Sequence, residues 1–432
     1  VWQSKAMMKL FGASSALACG GAILAVVGSL GCSAGTENQG GAGGGATSSA
    51  SGTGGSSGTF GMTGSGGAPA LGDITGKVLA PEGTIPISGA LVYVSPKFPD
   101  PIPDTVYCDR CVEITPTTDY AFSKADGTFD LAVHATGPMY LVVQKGQFRR
   151  IRAINVSTGM QPVDASLTTL PGRTNQAAGD SVPKMAVRIG QWDSIESSLQ
   201  KLGIAPDAFD RFEYKFPPDP NDPLSPDKLF DDYDNTLSKY HIVFVPCSGS
   251  TGTTCDDSTT SSATVKANLQ KFVEAGGRLY VTDYSYDFVR QPWPDYVDWV
   301  DQTSAIGSAC LSGAYDSTAM NVDPGLEAWM TAQGIPTFQV VQSWTAIDKV
   351  NAVATTDLDA KPVTVTPKVW VWADTGQGVH PSTISFERSC GRVLFSTYHT
   401  EGTGGATLIP QEKALLYVLL EVAVCQNQPL PK

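Results

Sequence analysis

Basic residues are the scarce class in this 432-residue sequence: 29 Lys and Arg face 42 Asp and Glu, for a formal net charge of −13 and a pI near 4.7. They are also scattered. Without a basic patch the chain has no electrostatic hold on a phosphate backbone or on anionic lipid, which excludes nucleic acid as a partner and requires any membrane attachment to be apolar or covalent. Cys108-Asp109-Arg110-Cys111 lacks the second CxxC pair that would complete a four-thiolate zinc site. It also leads into 112–115, which reads as extended and is followed by Pro116, not into a helix whose dipole would activate a thiol. We read it as a loop-stapling disulfide, with zinc and redox roles as alternatives. Asp219, Asp222, Asp227, Asp231 and Asp232 crowd one segment without EF-hand spacing, which points to a solvated acidic loop and not to calcium. Residues 33–72 are almost wholly Gly, Ser, Thr and Ala. Such a stretch buries too little to offset the entropy of ordering and predicts a flexible spacer with a reach of about 35 Å.

What is present begins with Lys5 and Lys9, followed by an apolar run over 10–30 that closes on Ser29-Leu30-Gly31-Cys32. This resembles a bacterial lipoprotein signal, although Ser29 stands where that signal usually has leucine. The resemblance implies a signal peptide at 1–31, lipidation of Cys32, and a lipid-anchored chain at the outer membrane, since Ser33 and not aspartate follows. Cys19 is the rival acceptor, and an uncleaved membrane anchor the alternative.

Residues 73–168 carry six short runs without a helical period, from ITGKVL to FRRIRAINV, with Asp126-Gly127 as a hairpin signal between two of them. These predict an antiparallel β-sandwich. Gly76, Val78, Pro86, Gly89-Ala90, Val92, Ala125-Asp126-Gly127, Phe129 and Leu131 resemble the carboxypeptidase regulatory-like (prealbumin-like) family. That resemblance implies a non-catalytic spacer or adhesion module.

After a polar connector at 169–182, strand-like runs alternate with helical periods through 183–432, which predicts a three-layer α/β domain with a mostly parallel sheet and an antiparallel extension. The organising stretch is 272–288, FVEAGGRLYVTDYSYDF. Val265, Leu269, Phe272 and Val273 predict one apolar helix face, Gly276-Gly277 its stop, and 279–281 an interior strand with Asp283 at its carboxyl end, where open α/β sheets bind ligands. The chain as a whole is multidomain: a disordered tether, a β-sandwich and an α/β domain.

The order HIVFVP, helix, EAGGRLYVTD and GRVLFSTYHTEG resembles the class I glutamine amidotransferase-like group and its ThuA-like branch. Carried over, Asp283 falls at the nucleophile position, and His399 and Glu401 match the group's His-x-Glu pair. The amidotransferase nucleophile is cysteine, so Asp283 excludes glutaminase chemistry. Cys247 does not replace it, because it ends the preceding strand. Three readings of Asp283, His399 and Glu401 stay open: structural polar groups, a metal site helped by the partial DxSxS match of 283–287, or a hydrolase with Asp283 as nucleophile or base. The expected role is non-catalytic binding or envelope organisation, with an envelope hydrolase as the alternative, and no cofactor is expected.

Trp370 and Trp372 fall on one face of a regular strand, and with Trp293, Trp299 and Trp344 they predict either a sugar-stacking wall or core packing. An envelope carbohydrate or protein is the expected partner. Of nine cysteines, removing Cys19 and lipidating Cys32 leaves seven. Besides Cys108 with Cys111, the expected pairs are Cys247 with Cys255 and Cys390 with Cys425, leaving Cys310 over.

Overall fold

In the segment TFDLAV the side chains of Phe129, Leu131 and Val133 are buried while Asp130 between them is exposed, the period-two signature of a strand with one wet face. The computed structural model in which this is seen describes residues 69–109, 118–217, 219, 221–249, 255, 257–300, 303, 305–357, 360–400 and 405–422. Cys32, Cys111, Glu401 and Cys425 lie outside the described residues. The described residues all belong to one compact unit, and no helix among them is long and apolar enough to cross a membrane.

All six runs of the first region are strands. Gly72–Lys77 lies between Thr128–Val133, antiparallel, and Gly159–Pro162, parallel. The second sheet runs in the order Tyr120–Phe122, Leu91–Ser95, Gly137–Lys145, Phe148–Val156 and Asp180–Ser181. Phe129, Leu131 and Val133 of one sheet and Val92, Leu141 and Val143 of the other share one apolar core. The Asp126-Gly127 turn is there, with Gly127 at φ +80° and Asp126 Oδ1 accepting from the Thr128 amide at 3.0 Å. It does not make a hairpin, because Tyr120–Phe122 and Thr128–Val133 enter different sheets. Residues 169–182 are more than a connector: Leu170 is buried, and Asp180 is held between Arg150 and Arg152.

A seven-stranded sheet follows, in the order Phe209–Phe212, Met185–Arg188, Ile242–Val245, Arg278–Thr282, Gly391–Ser396, Val379–Arg388 and Lys368–Asp374. The first five are parallel and the last two antiparallel. The helix Ala263–Glu274 starts on Ser262, whose hydroxyl accepts from the Val265 amide, and ends before Gly276, whose φ of +113° disfavours any residue with a Cβ. It packs Val265, Leu269, Phe272 and Val273 against Leu279, Val281, Val393 and Phe395. On the other face Phe244, Tyr280 and Leu394 meet the helices Ile195–Lys201 and Pro410–Val422. Pro362–Val365 and Lys368–Asp374 are separate strands, because Pro367 between them has no amide to give to a ladder.

The loop after Leu91–Ser95 reaches the amino ends of the parallel strands. Val106 donates to the Ser238 carbonyl, Asp109 pairs with buried Arg278 at 3.3 Å, and Cys108 is joined to Cys390. His241 is buried beneath it. Its Nδ1 accepts the Lys184 amide at 2.8 Å, which leaves Nε2 to donate to the Pro103 and Thr105 carbonyls. Burial lowers its pKa from the ordinary 6.5 to about 4, against the pull of those carbonyls and with the help of the nearby Arg278 charge. Because the folded pKa lies below the unfolded one, this histidine's contribution is complete above pH 6.5 and is lost as pH falls from 6.5 towards 4, a swing of roughly 3 kcal/mol. His241→Gln, which can still accept and donate, is expected to remove that swing in urea melts across this window. An unchanged difference between pH 7 and pH 4 would show that His241 is not responsible.

Candidate functional site

The parallel strands deliver their carboxyl ends to one place. Trp192 and Asp193 follow Met185–Arg188, Cys247 follows Ile242–Val245, Asp283 follows Arg278–Thr282, and His399 follows Gly391–Ser396. Asp193 ties these ends together: its Oδ2 accepts from Thr282 Oγ1 at 2.7 Å and from the Thr400 amide at 3.0 Å. The Thr282 hydroxyl in turn accepts the Cys247 amide at 2.9 Å.

Asp283 leaves its strand at φ +42°, a left-handed conformation uncommon for a side-chain-bearing residue, and is 0% exposed. The strand Gln339–Thr345 fixes one carboxylate oxygen: Oδ1 accepts from the Trp344 amide and the Thr345 hydroxyl, each at 3.0 Å. The other oxygen, Oδ2, lies 3.2 Å from His399 Nε2 and 3.9 Å from Cys247 Sγ. His399 is therefore in ion-pair range of the carboxylate, but its Nε2 is not aligned as a hydrogen-bond donor and has no hydrogen-bond partner.

Burial raises the Asp283 pKa, and the His399, Trp344 and Thr345 contacts only partly reverse it. For His399 burial acts the other way, yet the neighbouring Asp283 outweighs it and the imidazole binds its proton more tightly than usual. Burial, reinforced by the Asp283 charge, pushes the Cys247 thiol well up. At neutral pH the thiol is thus no ready nucleophile.

The structure brings Asp283 and His399 together as the sequence suggested; Glu401 falls outside the described residues. Cys247, at the end of the preceding strand, belongs to the cluster as well. The signal was the parallel register: Val245 pairs with Val281, so two residues further Cys247 stands beside Asp283.

The partial DxSxS match does not assemble. Ser285 Oγ donates to the Pro246 carbonyl, and Asp287 is engaged by Arg290, Gln291 and the Gly307 amide. Trp370 and Trp372 do not share a face. A register shift sends Trp370 into the core beside Val371 and Ala373, and Trp372, between the last two, points the other way. Trp370 is buried with its indole N–H on Ser385, which removes it from any binding wall. Trp293 and Trp299 are core residues. In the acidic loop, Asp222 pairs with Lys215 and Asp232 bonds Asn235.

The cysteine pairing differs from expectation. Cys108 bonds to Cys390 instead of Cys111, Cys255 bonds to Cys310 instead of Cys247, and Cys247 is a buried free thiol. Cys390 is therefore unavailable to Cys425, and Cys310 is not left over.

At the surface beside Asp283, three aromatic side chains from separate strand ends meet. Trp192, 37% exposed, lies edge-to-face with half-buried Tyr284 at 5.5 Å, and Tyr284 lies 5.9 Å from half-buried Trp344.

No family model matches the sequence, and no curated protein matches it. Solved structures similar to parts of it include a putative ThuA-like protein from Bacteroides uniformis, 12% identical over 55% of this chain and 89% of that one, with a TM-score of 0.29. A cytoplasmic protein from Salmonella typhimurium is 10% identical over 56% and 99%, with a TM-score of 0.31. A cold-adapted β-galactosidase from Rahnella sp. R3 is 13% identical over 60% of this chain and 34% of its own length, at 0.28. Likenesses this distant carry no argument about activity.

Proposed function

We propose that this chain is an outer-membrane lipoprotein, tethered through Cys32, that carries a prealbumin-like sandwich and a ThuA-like α/β region acting as a non-catalytic carbohydrate-binding module. The observation that carries the binding role is the shelf of Trp192, Tyr284 and Trp344 at the carboxyl ends of the parallel strands. A sugar ring presents a face of C–H bonds, which the electron-rich faces of partly exposed aromatic rings attract, while its hydroxyls remain in water. The raised thiol of Cys247 and the constrained carboxylate of Asp283 speak against thiol or aspartyl nucleophilic chemistry at the same place. A second reading, metal-assisted hydrolysis, is favoured by one observation, the approach of Cys247, Asp283 and His399.

The test is retention on an array of bacterial envelope glycans. Trp192→Ala and Trp344→Ala are each expected to weaken binding about tenfold, equivalent to about 1.4 kcal/mol, without loss of fold. No glycan retained by the unaltered chain, or full retention by the double variant, removes the shelf from the reading. A Cys32→Ser chain that still fractionates with membranes removes the lipid tether.

A further inference from the structure

We propose that Cys247, Asp283 and His399 form a binding site for a thiophilic divalent cation of the zinc type, with Sγ, Oδ2 and Nε2 as its donors. Their donor atoms lie within 4.8 Å of one another, and among the described residues this is the one such convergence of cysteine, histidine and carboxylate groups. The mixture of donors selects the ion. Magnesium and calcium take oxygen ligands, whereas a thiol sulfur with an imidazole nitrogen and a single carboxylate oxygen suits zinc.

The distances agree with that assignment. With zinc–ligand bonds of about 2.0–2.3 Å and tetrahedral angles, a carboxylate oxygen and an imidazole nitrogen sit about 3.4 Å apart, and an oxygen and a sulfur about 3.6 Å. The corresponding separations here are 3.2 Å and 3.9 Å.

A second, independent observation points to a ligand. His399 is only 5% exposed, and its Nε2, 3.2 Å from Asp283 Oδ2, is an ion-pair neighbour of that oxygen without an aligned hydrogen bond. Buried polar atoms are rarely left in that state, and a cation between Nε2, Oδ2 and Sγ would satisfy all three donors at once. The surroundings are also those of a metal centre. Trp344 and Thr345 hold the non-coordinating oxygen of Asp283, and Thr282, braced by Asp193, holds the backbone of Cys247. Such outer contacts orient ligands before the ion arrives. Three protein donors leave a fourth position for water or a ligand oxygen, the arrangement of a Lewis-acid site and not of a closed structural one.

The inference rests on this cluster and not on the aromatic shelf, so glycan binding and metal binding can fail separately. The full chain, purified without chelators, is expected to carry close to one zinc per molecule by elemental analysis. Chelation should lower the melting temperature by several degrees, and zinc should restore it. Cobalt(II) replacement should produce a thiolate-to-cobalt charge-transfer band. Cys247 is the free cysteine among the described residues, and if its sulfur is the ligand the band should vanish in Cys247→Ser. Asp283→Asn and His399→Gln should each weaken zinc binding at least tenfold while the far-ultraviolet circular dichroism stays unchanged. If Cys247→Ser does not fold, the His399→Gln comparison decides. Failure of the unaltered chain to take up zinc or cobalt, or equal uptake by the variants, overturns the proposal and leaves an Asp–His ion pair beside an inert thiol.

Discussion

Asp287→Ala is expected to destabilise the fold by about 3–5 kcal/mol, read as a lowered urea midpoint at unchanged slope. Asp287 and Arg290 are both buried, and the carboxylate accepts from Arg290 Nε at 2.9 Å, from Gln291 Nε2 at 3.2 Å and from the Gly307 amide at 2.8 Å. Removing it strands a guanidinium in the interior. The remaining partners of Arg290, the Thr303 and Ala305 carbonyls and Ser308, are neutral and cannot replace the lost charge. Most of the cost is the unpaired cation and not the pair itself. Combining Asp287→Ala with Arg290→Met should therefore recover part of the loss. A deficit below about 1 kcal/mol for the single variant would mean that water reaches Arg290 and that the pair behaves as a surface one.

Opening the Cys108–Cys390 disulfide is expected to cost about 4 kcal/mol. The bond spans 282 residues, for which the chain-entropy argument gives about 5.6 kcal/mol; the short cut through Cys255–Cys310 lowers this by only about 0.2 kcal/mol, and the roughly 2–5 kcal/mol usually lost with a native disulfide sets the expectation below that ceiling. Cys108→Ser, Cys390→Ser and the double variant should lose the same amount, since each removes one and the same cross-link. Losses that add would contradict the bond, and so would single variants with the stability of the unaltered chain. The weakened region is expected to be the loop over Arg278 and His241, where hydrogen exchange of the Val106 amide reports opening.

The parts of this architecture governed by local period were legible in the residues. The alternation of Phe129, Leu131 and Val133 gives a strand face, and Val265, Leu269, Phe272 and Val273 give a helix face that ends at Gly276. Position at the carboxyl end of a central strand was enough to single out Asp283. What depended on pairing between distant segments was not legible. Asp126-Gly127 marks a turn, but which sheets its two arms join is decided by partners elsewhere. Cysteine partners, 282 and 55 residues apart, follow from tertiary proximity alone. The shift at Trp370 breaks the alternation on which the expected tryptophan wall depended. The aromatic shelf draws one side chain from each of three separate segments, so no window of sequence contains it. Cys247 lies between these cases: its place beside Asp283 follows once the two strands are known to be parallel neighbours in register.

The Cys108–Cys390 bond also determines how the molecule responds to mechanical load. A pull on the amino-terminal side first acts on Gly72–Lys77, held by hydrogen bonds to Thr128–Val133 and Gly159–Pro162. If those ladders give way, the chain can pay out only from residue 69 to residue 108, about 40 residues or about 130 Å when extended. Force then passes through a covalent bond into the hairpin between Val379–Arg388 and Gly391–Ser396, bypassing the intervening chain. The residues enclosed between Cys108 and Cys390, Asp283 and its neighbours among them, therefore cannot be unravelled one after another from the amino-terminal side while the disulfide is intact.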